Sequence, residues 1–448
     1  MALTGIQIFK LLPKTNCGEC GVPTCLAFAM NLAAGKAELA SCPHISEESK
    51  AMLSEASAPP IRPLTINTGD NQVKIGGETV LFRHEKTFVN KPGIAVMISD
   101  TMTDDEVDGR IKRFQELKYE WIGLILRPEM IAVKNASGDA GKFEALVKKV
   151  TEGTDAALIL MSEDAAAMTA ALKASSQRVP LIYGATGANS DAMVALALEY
   201  KCPLAARAEN MEDLTALADK IGAAGVKDIV LDSGARTVRR AFEDQVFIRR
   251  AALIQKNRSL GFPTITFPCD MTEDPLKEAL IAATFIAKYA GIIVLSDFQG
   301  ESLFPLLVSR LNIYTDPQRP MMMKQGIYPI GNPTEDSPVL ITTNFALTYF
   351  IVSGEIEGSR VPSWLLVMDT EGLSVLTAWA AGKFVGDAIG QYVKKSGITE
   401  KVKHRKIVIP GFVAAVSGDL EEELGSEWEV KIGPREAAHL APFLKQGI

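Results

Sequence analysis

The sequence predicts an α/β chain in three parts. These are a cysteine-bearing N-terminal module, a central (β/α)8 TIM barrel and a C-terminal open α/β domain. Three observations carry this. Four of the six cysteines fall in one N-terminal stretch with the spacing C-x2-C-x4-C-x16-C. From Gly93, apolar strand-like runs recur about every 25–35 residues, each followed by a helical pattern. After a Pro- and Gly-rich connector a second α/β pattern begins, with small and hydroxyl residues at its strand-to-helix turns. The boundaries read as 1–58 for the module, 59–92 for a linker with a β-hairpin, 93–300 for the barrel, 301–325 for the connector and 326–448 for the last domain.

Bulk properties bound the reading. At 448 residues the chain is too long for one ordinary domain. Its 47% hydrophobic and 23% charged residues are globular values. A net charge of −7 and the lack of a basic stripe make nucleic acid and anionic membrane poor partners. The N-terminus lacks the parts of a signal peptide, and no apolar run reaches the length of a membrane span. A cytoplasmic protein is expected. Cluster cysteines in such a chain suggest an oxygen-poor niche.

Cys17, Cys20, Cys25 and Cys42 are the candidate metal ligands. Two thiolates on one tight turn, a third one loop on and a fourth returning from a helix can surround a compact centre. Gly18 and Gly21 let the backbone bend beside it. Disulfides are disfavoured, since nothing marks the chain as secreted. Zinc modules usually pair two short C-x-x-C knuckles, and here the second pair is split. A [4Fe–4S] cluster fits best. Gly5–Leu12 reads as a helix before the cysteines and Thr24–Ala37 as a second helix that carries Cys25 in its first turn, where the N–H groups favour negative charge. Ser54–Pro60 reads as a linker.

In the linker, Gly76-Gly77 between alternating apolar residues signals a hairpin over 73–82. The expected barrel strands are Ile94–Ile98, Trp121–Leu126, Ala156–Met161, Pro180–Tyr183, Pro203–Ala206, Asp228–Leu231, Pro263–Phe267 and Ile292–Leu295. Thr103 with Glu106 forms a capping box that opens the first barrel helix. Eight such units argue for a closed parallel barrel over an open doubly wound sheet. Asp100, Arg127, Ser162, Asp232, Ser233 and Asp297 would line its C-terminal face. The loop 184–189 (GATGAN) could cradle a phosphate, but reads first as a tight loop feeding a helix. No nucleophile–base set emerges, and Cys202 and Cys269 read as packed thiols.

The C-terminal domain shows strands at 339–344, 364–369, 406–409 and 428–432. In open parallel sheets ligands bind outside the carboxyl ends of the strands. Thr342, Thr343, Asn344, Thr370, Gly372, Ser374, Gly411 and Gly433 sit at those ends. Pro434 suits the first position of a helix. The run 376–382 (LTAWAAG) would let a broad, flat ligand approach the backbone; the plainer reading is helix-on-sheet packing. None of His44, His84, His404 and His439 lies in an Asp-x-His-x-x-Gly motif or at zinc-ligand spacing. Each reads as a surface or packing histidine.

Together these strings resemble the large (gamma) subunit of the corrinoid iron–sulfur protein of the acetyl-CoA (Wood–Ljungdahl) pathway, essentially end to end. They include 13–37 (PKTNCGECGVPTCLAFAMNLAAGKA), 81–88 (LFRHEKTF), 337–357 (SPVLITTNFALTYFIVSGEIE), 369–384 (DTEGLSVLTAWAAGKF) and 432–437 (IGPREA). The resemblance implies that Cys17, Cys20, Cys25 and Cys42 hold a [4Fe–4S] cluster. It makes the C-terminal region a corrinoid-binding domain with no protein histidine on cobalt. Corrinoid contacts would fall at Thr342, Thr343, Asn344, Thr348, Thr370, Gly372, Leu373, Ser374, Val375, Gly411, Gly433 and Pro434.

The implied function is methyl carriage. Cobalt(I) of the corrinoid takes the methyl of methyltetrahydrofolate from a methyltransferase and passes it to the A-cluster of acetyl-CoA synthase. The iron–sulfur cluster relays electrons that reactivate Co(II). Implied partners are a small subunit, forming a heterodimer, the methyltransferase, acetyl-CoA synthase/CO dehydrogenase, and a reductive activator or ferredoxin. The connector would let the last domain move between partners. An iron–sulfur barrel enzyme without corrinoid and a structural metal-cluster scaffold are the alternatives.

Overall fold

The computed structural model describes residues 5–33, 37, 39–46, 48–50, 53, 59–175, 177–316 and 319–447. They fall in two compact units, Met1–Lys118 with Arg127–Tyr314, and Tyr119–Leu126 with Thr315–Ile448. Most of the expected linker Ser54–Pro60, residues 34–36 of the expected second helix, and 317–318 of the connector lie outside the described residues. No helix among the described residues is long and apolar enough to cross a membrane.

The first unit opens with helix Gly5–Leu11 and helix Cys25–Ala33. The second begins where Thr24 Oγ1 accepts the Ala27 N–H at 3.1 Å, a hydroxyl satisfying a free first-turn donor. Phe28 and Ala29 pack on Ile8 and Leu12, and Leu53 joins this small core.

The hairpin differs from expectation. Strand β1 (Leu64–Ile66) pairs antiparallel with β2 (Val73–Ile75), so the turn lies before Val73. Gly76 and Gly77, at φ 79° and 85°, instead lead the chain away from β2. A Cβ on Gly76 would run into the Arg62 carbonyl, so close backbone approach, not a hairpin turn, calls for glycine there. Leu64, Ile66, Val73 and Ile75 join the core inside the barrel.

The barrel is made of β3 (Gly93–Ser99) and, after the short strands β4 (Tyr119–Trp121) and β5 (Leu124–Leu126), of β6 (Met130–Lys134), β7 (Ala157–Met161), β8 (Leu181–Ala185), β9 (Leu204–Arg207), β10 (Ile229–Asp232), β11 (Ile265–Thr266) and β12 (Ile292–Leu295). From β3 to β10 each barrel strand pairs in parallel with the next, β11 pairs with β12, and β12 returns to β3. A parallel bridge between Leu231 and Thr264 closes the ring, with the Leu231 N–H on the Pro263 carbonyl at 2.9 Å. The interior is filled by small and branched residues such as Ala95, Ala132, Ile159, Ala205 and Val230. The predicted capping box opens helix Asp104–Glu116, and Asp139, Asp164 and Asp274 cap three later helices through their carboxylates.

One predicted barrel strand is wrong. Trp121–Leu126 is not in the barrel; β4 and β5 pair with each other around Ile122 and Gly123, both at positive φ (49° and 73°). The second barrel strand is Met130–Lys134. The hairpin belongs to the second unit, where the Trp121 ring stacks on Phe350 at 4.7 Å.

The second unit is a five-stranded sheet of β13 (Gly326–Ile330), β14 (Val339–Thr343), β15 (Ser363–Met368), β16 (Lys406–Ile409) and β17 (Glu429–Ile432), in the order β13-β15-β14-β16-β17. Only β13 is antiparallel. Helix Ala346–Ser359 packs with the C-terminal helix Leu440–Lys445; helix Gly386–Lys395 packs with Ser417–Leu424. Val339, Ile341, Leu366, Ile389 and Leu420 share one core cluster.

Candidate functional site

In the second unit, β14 is followed by β15 on one side and flanked by β16 on the other. The helices that follow β14 and β16 therefore cover opposite faces. A crevice opens between two such strands at their carboxyl ends. Here it is a cleft of about 330 Å³. Its floor is Leu340, Ile341 and Thr342 of β14 with Val408 and Ile409 of β16; Ile351 and Val352 of helix Ala346–Ser359 form one wall. Thr342 Oγ1 is buried and has no hydrogen-bond partner. A buried unpaired hydroxyl costs stability and calls for a ligand group. Ile351, Leu376 and Phe412 line the cleft yet remain more than 40% exposed, an apolar rim.

Of the expected contact residues, Thr342, Thr348, Ser374, Val375, Gly433 and Pro434 come together along this cleft. The others do not line it, and most have structural roles there. Asn344 Oδ1 accepts from Thr370 N (3.0 Å), Thr370 Oγ1 (3.1 Å) and Gly372 N (3.0 Å), and its Nδ2 donates to Asp369 (2.9 Å). This brace holds the turn at Glu371 and Gly372, both left-handed at φ 56° and 74°. The turn leads into Ser374 and Val375. The single proton of the Thr370 hydroxyl is shared between Asn344 Oδ1 and the Leu373 carbonyl, each at 3.1 Å. A Cβ on Gly411 would collide with the Gly433 carbonyl and the Arg435 nitrogen, so glycine there lets two turns meet. Thr343 is fully buried, and its hydroxyl is unpartnered as well. Reasoning from strand ends missed the apolar lining, Leu440 and the charged pair Arg435 and Glu436.

In the N-terminal module all four cysteines carry free thiols. Cys25 and Cys42 are buried in the module's core with Cys20 packed against them, while Cys17 is exposed. Gly18 and Gly21 adopt φ 77° and 84°, as a turn wrapping a centre needs. Asn16 Oδ1 accepts the Cys25 N–H at 2.8 Å and pins the turn to the helix start. His44 Nε2 meets Glu19 Oε2 at 3.0 Å beside Cys17. Sequence spacing alone gave no sign of that pairing.

The barrel face carries braces. Asp100 accepts from the N–H groups of Ala136 and Ser137. Asp297 pairs with Arg113 at 2.7 Å, and Ser162 accepts from Asn135 and the Asp164 N–H. Ser233 is buried beside the Asp244 carboxylate. Asp232 accepts from the Tyr183 hydroxyl at 2.5 Å and from both terminal nitrogens of Arg236. Burial, with Asp232 beside it, pushes the Tyr183 phenol well up. Arg127 departs from expectation: it precedes β6 and pairs with Asp155, which precedes β7, so it lies at the opposite end of the barrel. The loop 184–189 closes on itself, Asn189 accepting from Thr186 N at 2.7 Å and donating to Gly184 O. Cys202 is buried, its thiol pushed up to about 12 by desolvation, and burial likewise raises Cys269. Among the histidines, His84 stacks on Phe82 and His404 contacts the Ser337 carbonyl.

Comparison with known proteins places the chain. Residues 64–444 match the family described as CO dehydrogenase/acetyl-CoA synthase delta subunit, and residues 12–44 match one described as putative Fe-S cluster. The corrinoid/iron-sulfur protein large subunit of Moorella thermoacetica is 45% identical over 448 residues, covering 100% of both chains. The acetyl-CoA decarbonylase/synthase complex subunit gamma of Methanopyrus kandleri is 39% identical over 459 residues, covering 100% of this chain and 98% of that one. Among solved structures, 7,8-dihydropteroate synthase from Vibrio fischeri is 12% identical with a TM-score of 0.39, covering 53% of this chain and 99% of that one. Both cysteine module and cleft-bearing domain are thus matched in full-length relatives, and the chain belongs to the family of corrinoid/iron–sulfur protein large (gamma) subunits.

Proposed function

We propose that this chain is a methyl-group carrier of the acetyl-CoA pathway, loading from methyltetrahydrofolate through a methyltransferase and unloading at acetyl-CoA synthase. The observation that carries this is the cleft at the switch point of the second unit, with its apolar rim and the orphaned Thr342 hydroxyl. These features fit a corrinoid. The cleft volume suits a side arm of such a ligand, and Ile351, Leu376 and Phe412 offer a platform for a flat ring. The four thiols, two buried and grouped on a glycine-bent turn, fit a [4Fe–4S] cluster. When bound, the corrinoid supplies a metal centre that accepts and donates methyl groups, and the cluster supplies single electrons for its reactivation.

The chain's own residues then have separable tasks. Thr342 Oγ1 pairs with a polar group of the ligand. Asn344 holds the 369–374 turn so that Ser374 and Val375 keep their place on the wall. The rim excludes water from one side of the ligand. No histidine serves as a cobalt ligand in this reading. The N-terminus of helix Cys25–Ala33 favours the negative charge of a thiolate-bound cluster, and Asn16 holds the cysteine turn to that helix start. A small subunit of the same protein, a methyltransferase, acetyl-CoA synthase/CO dehydrogenase and a reductive activator or ferredoxin are the proposed partners, in the cytoplasm. The second unit, with its hairpin 119–126, is the element proposed to move between them.

The test is metal content and visible spectrum of anaerobically purified protein. About one cobalt and about four irons per chain support the reading. Iron without cobalt indicates a barrel enzyme with a cluster, and zinc alone a structural scaffold; either result sinks the carrier.

A further inference from the structure

We propose that Glu19 and His44 form a reserve ligand pair for the iron held by Cys17. This rests on the reading of the four cysteines as cluster ligands. It assigns a role to two residues outside that set.

Cys17 is the exposed member of the quartet, whereas Cys25 and Cys42 are buried. Cys17 Sγ, a carboxylate oxygen of Glu19 and a ring nitrogen of His44 all lie within 4.8 Å of one another. The two reserve donors meet at 3.0 Å. An iron of such a cluster holds three sulfides and one outer donor, so the entering group would take the position that the Cys17 thiolate leaves. Glu19 and His44 now hold their donor atoms within 4.8 Å of that sulfur. Both side chains are about half exposed, which leaves room for the movement.

The chain builds this corner from its two ends. Glu19 sits between Cys17 and Cys20 on the same turn, and His44 arrives two residues after Cys42. Imidazole nitrogen is an established substitute for thiolate on cluster iron. A carboxylate matches the charge of the thiolate it replaces. The exchange is a ligand substitution without electron transfer. The iron–sulfur bond to Cys17 breaks, the thiolate leaves and takes a proton from water, and an iron–oxygen or iron–nitrogen bond forms. Iron and sulfide stay in the cluster. An electron relay with an exposed corner gains from this, because loss of one thiolate does not become loss of one iron.

The test uses the full chain reconstituted anaerobically with iron and sulfide. It compares wild type, Cys17→Ala and the triple variant Cys17→Ala/Glu19→Ala/His44→Ala. The readouts are iron content, Mössbauer spectrum and EPR. Cys17→Ala is expected to keep about four irons, one of them with oxygen or nitrogen coordination, and the triple variant to fall to a three-iron centre. Cys17→Ala with three irons or none overturns the proposal. So does a triple variant that still holds four, since water would then suffice as the ligand. A wild-type chain that takes up no cluster takes down the cluster reading itself, a result distinguishable from both.

Discussion

Asn344→Ala should cost the second unit about 2–4 kcal/mol, because it strands two buried backbone donors at about 1–3 kcal/mol each, partly relieved by relaxation. The Thr370 and Gly372 N–H groups both end on Asn344 Oδ1 at 3.0 Å, and Asn344 is 3% exposed. The exposed Glu371 lets the turn relax toward water, which holds the estimate below the full sum. The assay is built into the chain. Its four tryptophans, Trp121, Trp364, Trp379 and Trp428, all lie in the second unit. Tryptophan fluorescence during urea unfolding therefore reports that unit alone. At about 2 kcal/mol per molar urea, the midpoint should fall by about 1–2 M. Asn344→Asp keeps the acceptor but sets a second carboxylate against Asp369. It should also lose stability at neutral pH and recover part of it as the pH falls into the carboxylate range. An Asn344→Ala unfolding free energy within about 0.5 kcal/mol of wild type would refute the brace.

Two further expectations follow from ion pairing and from the hairpin. Burial alone would raise the Glu129 carboxyl, but Arg310 at 2.7 Å and Lys91 at 3.1 Å outweigh it and hold the carboxyl below its usual range. The pairing thus stabilises the barrel above the unfolded carboxylate pKa of 4.5 and is lost as pH falls through the lower folded value. Glu129→Gln should be destabilised near neutral pH, with its gap to wild type closing in acid, followed by circular dichroism. Trp121→Ala should lower the second unit's transition by about 1–2 kcal/mol through loss of the Phe350 stack while leaving the barrel transition in place. An effect confined to the barrel would contradict the assignment of the hairpin.

The local elements were largely legible in the sequence. Seven of the eight barrel strands and the Thr103 capping box follow from apolar runs, turn residues and caps, because these signals act over a few residues. The failures are failures of pairing. Trp121–Leu126 is aromatic and branched, as a strand should be, and it is β-structure. Its partner is itself, through Ile122 and Gly123, and its packing partner is Phe350. Met130–Lys134 passed unnoticed beside it. Gly76-Gly77 has the composition of a hairpin turn but serves a close backbone approach.

The site divides the same way. The sequence by itself placed four thiols, Cys17, Cys20, Cys25 and Cys42, at a spacing that suits a metal cluster, and set the strand ends where a ligand could meet free backbone groups. Thiolate spacing and strand-to-helix turns are local features of the chain. Only the tertiary structure decided which of those residues face the cleft and which brace it. It set Thr342 in the cleft with an unpaired hydroxyl and turned Asn344 inward onto the 369–374 turn. It also brought Glu19 and His44 to the exposed side of Cys17. Which face a residue shows depends on which strands and helices lie next to it, and an apolar run reads the same whether it meets a core or a ligand.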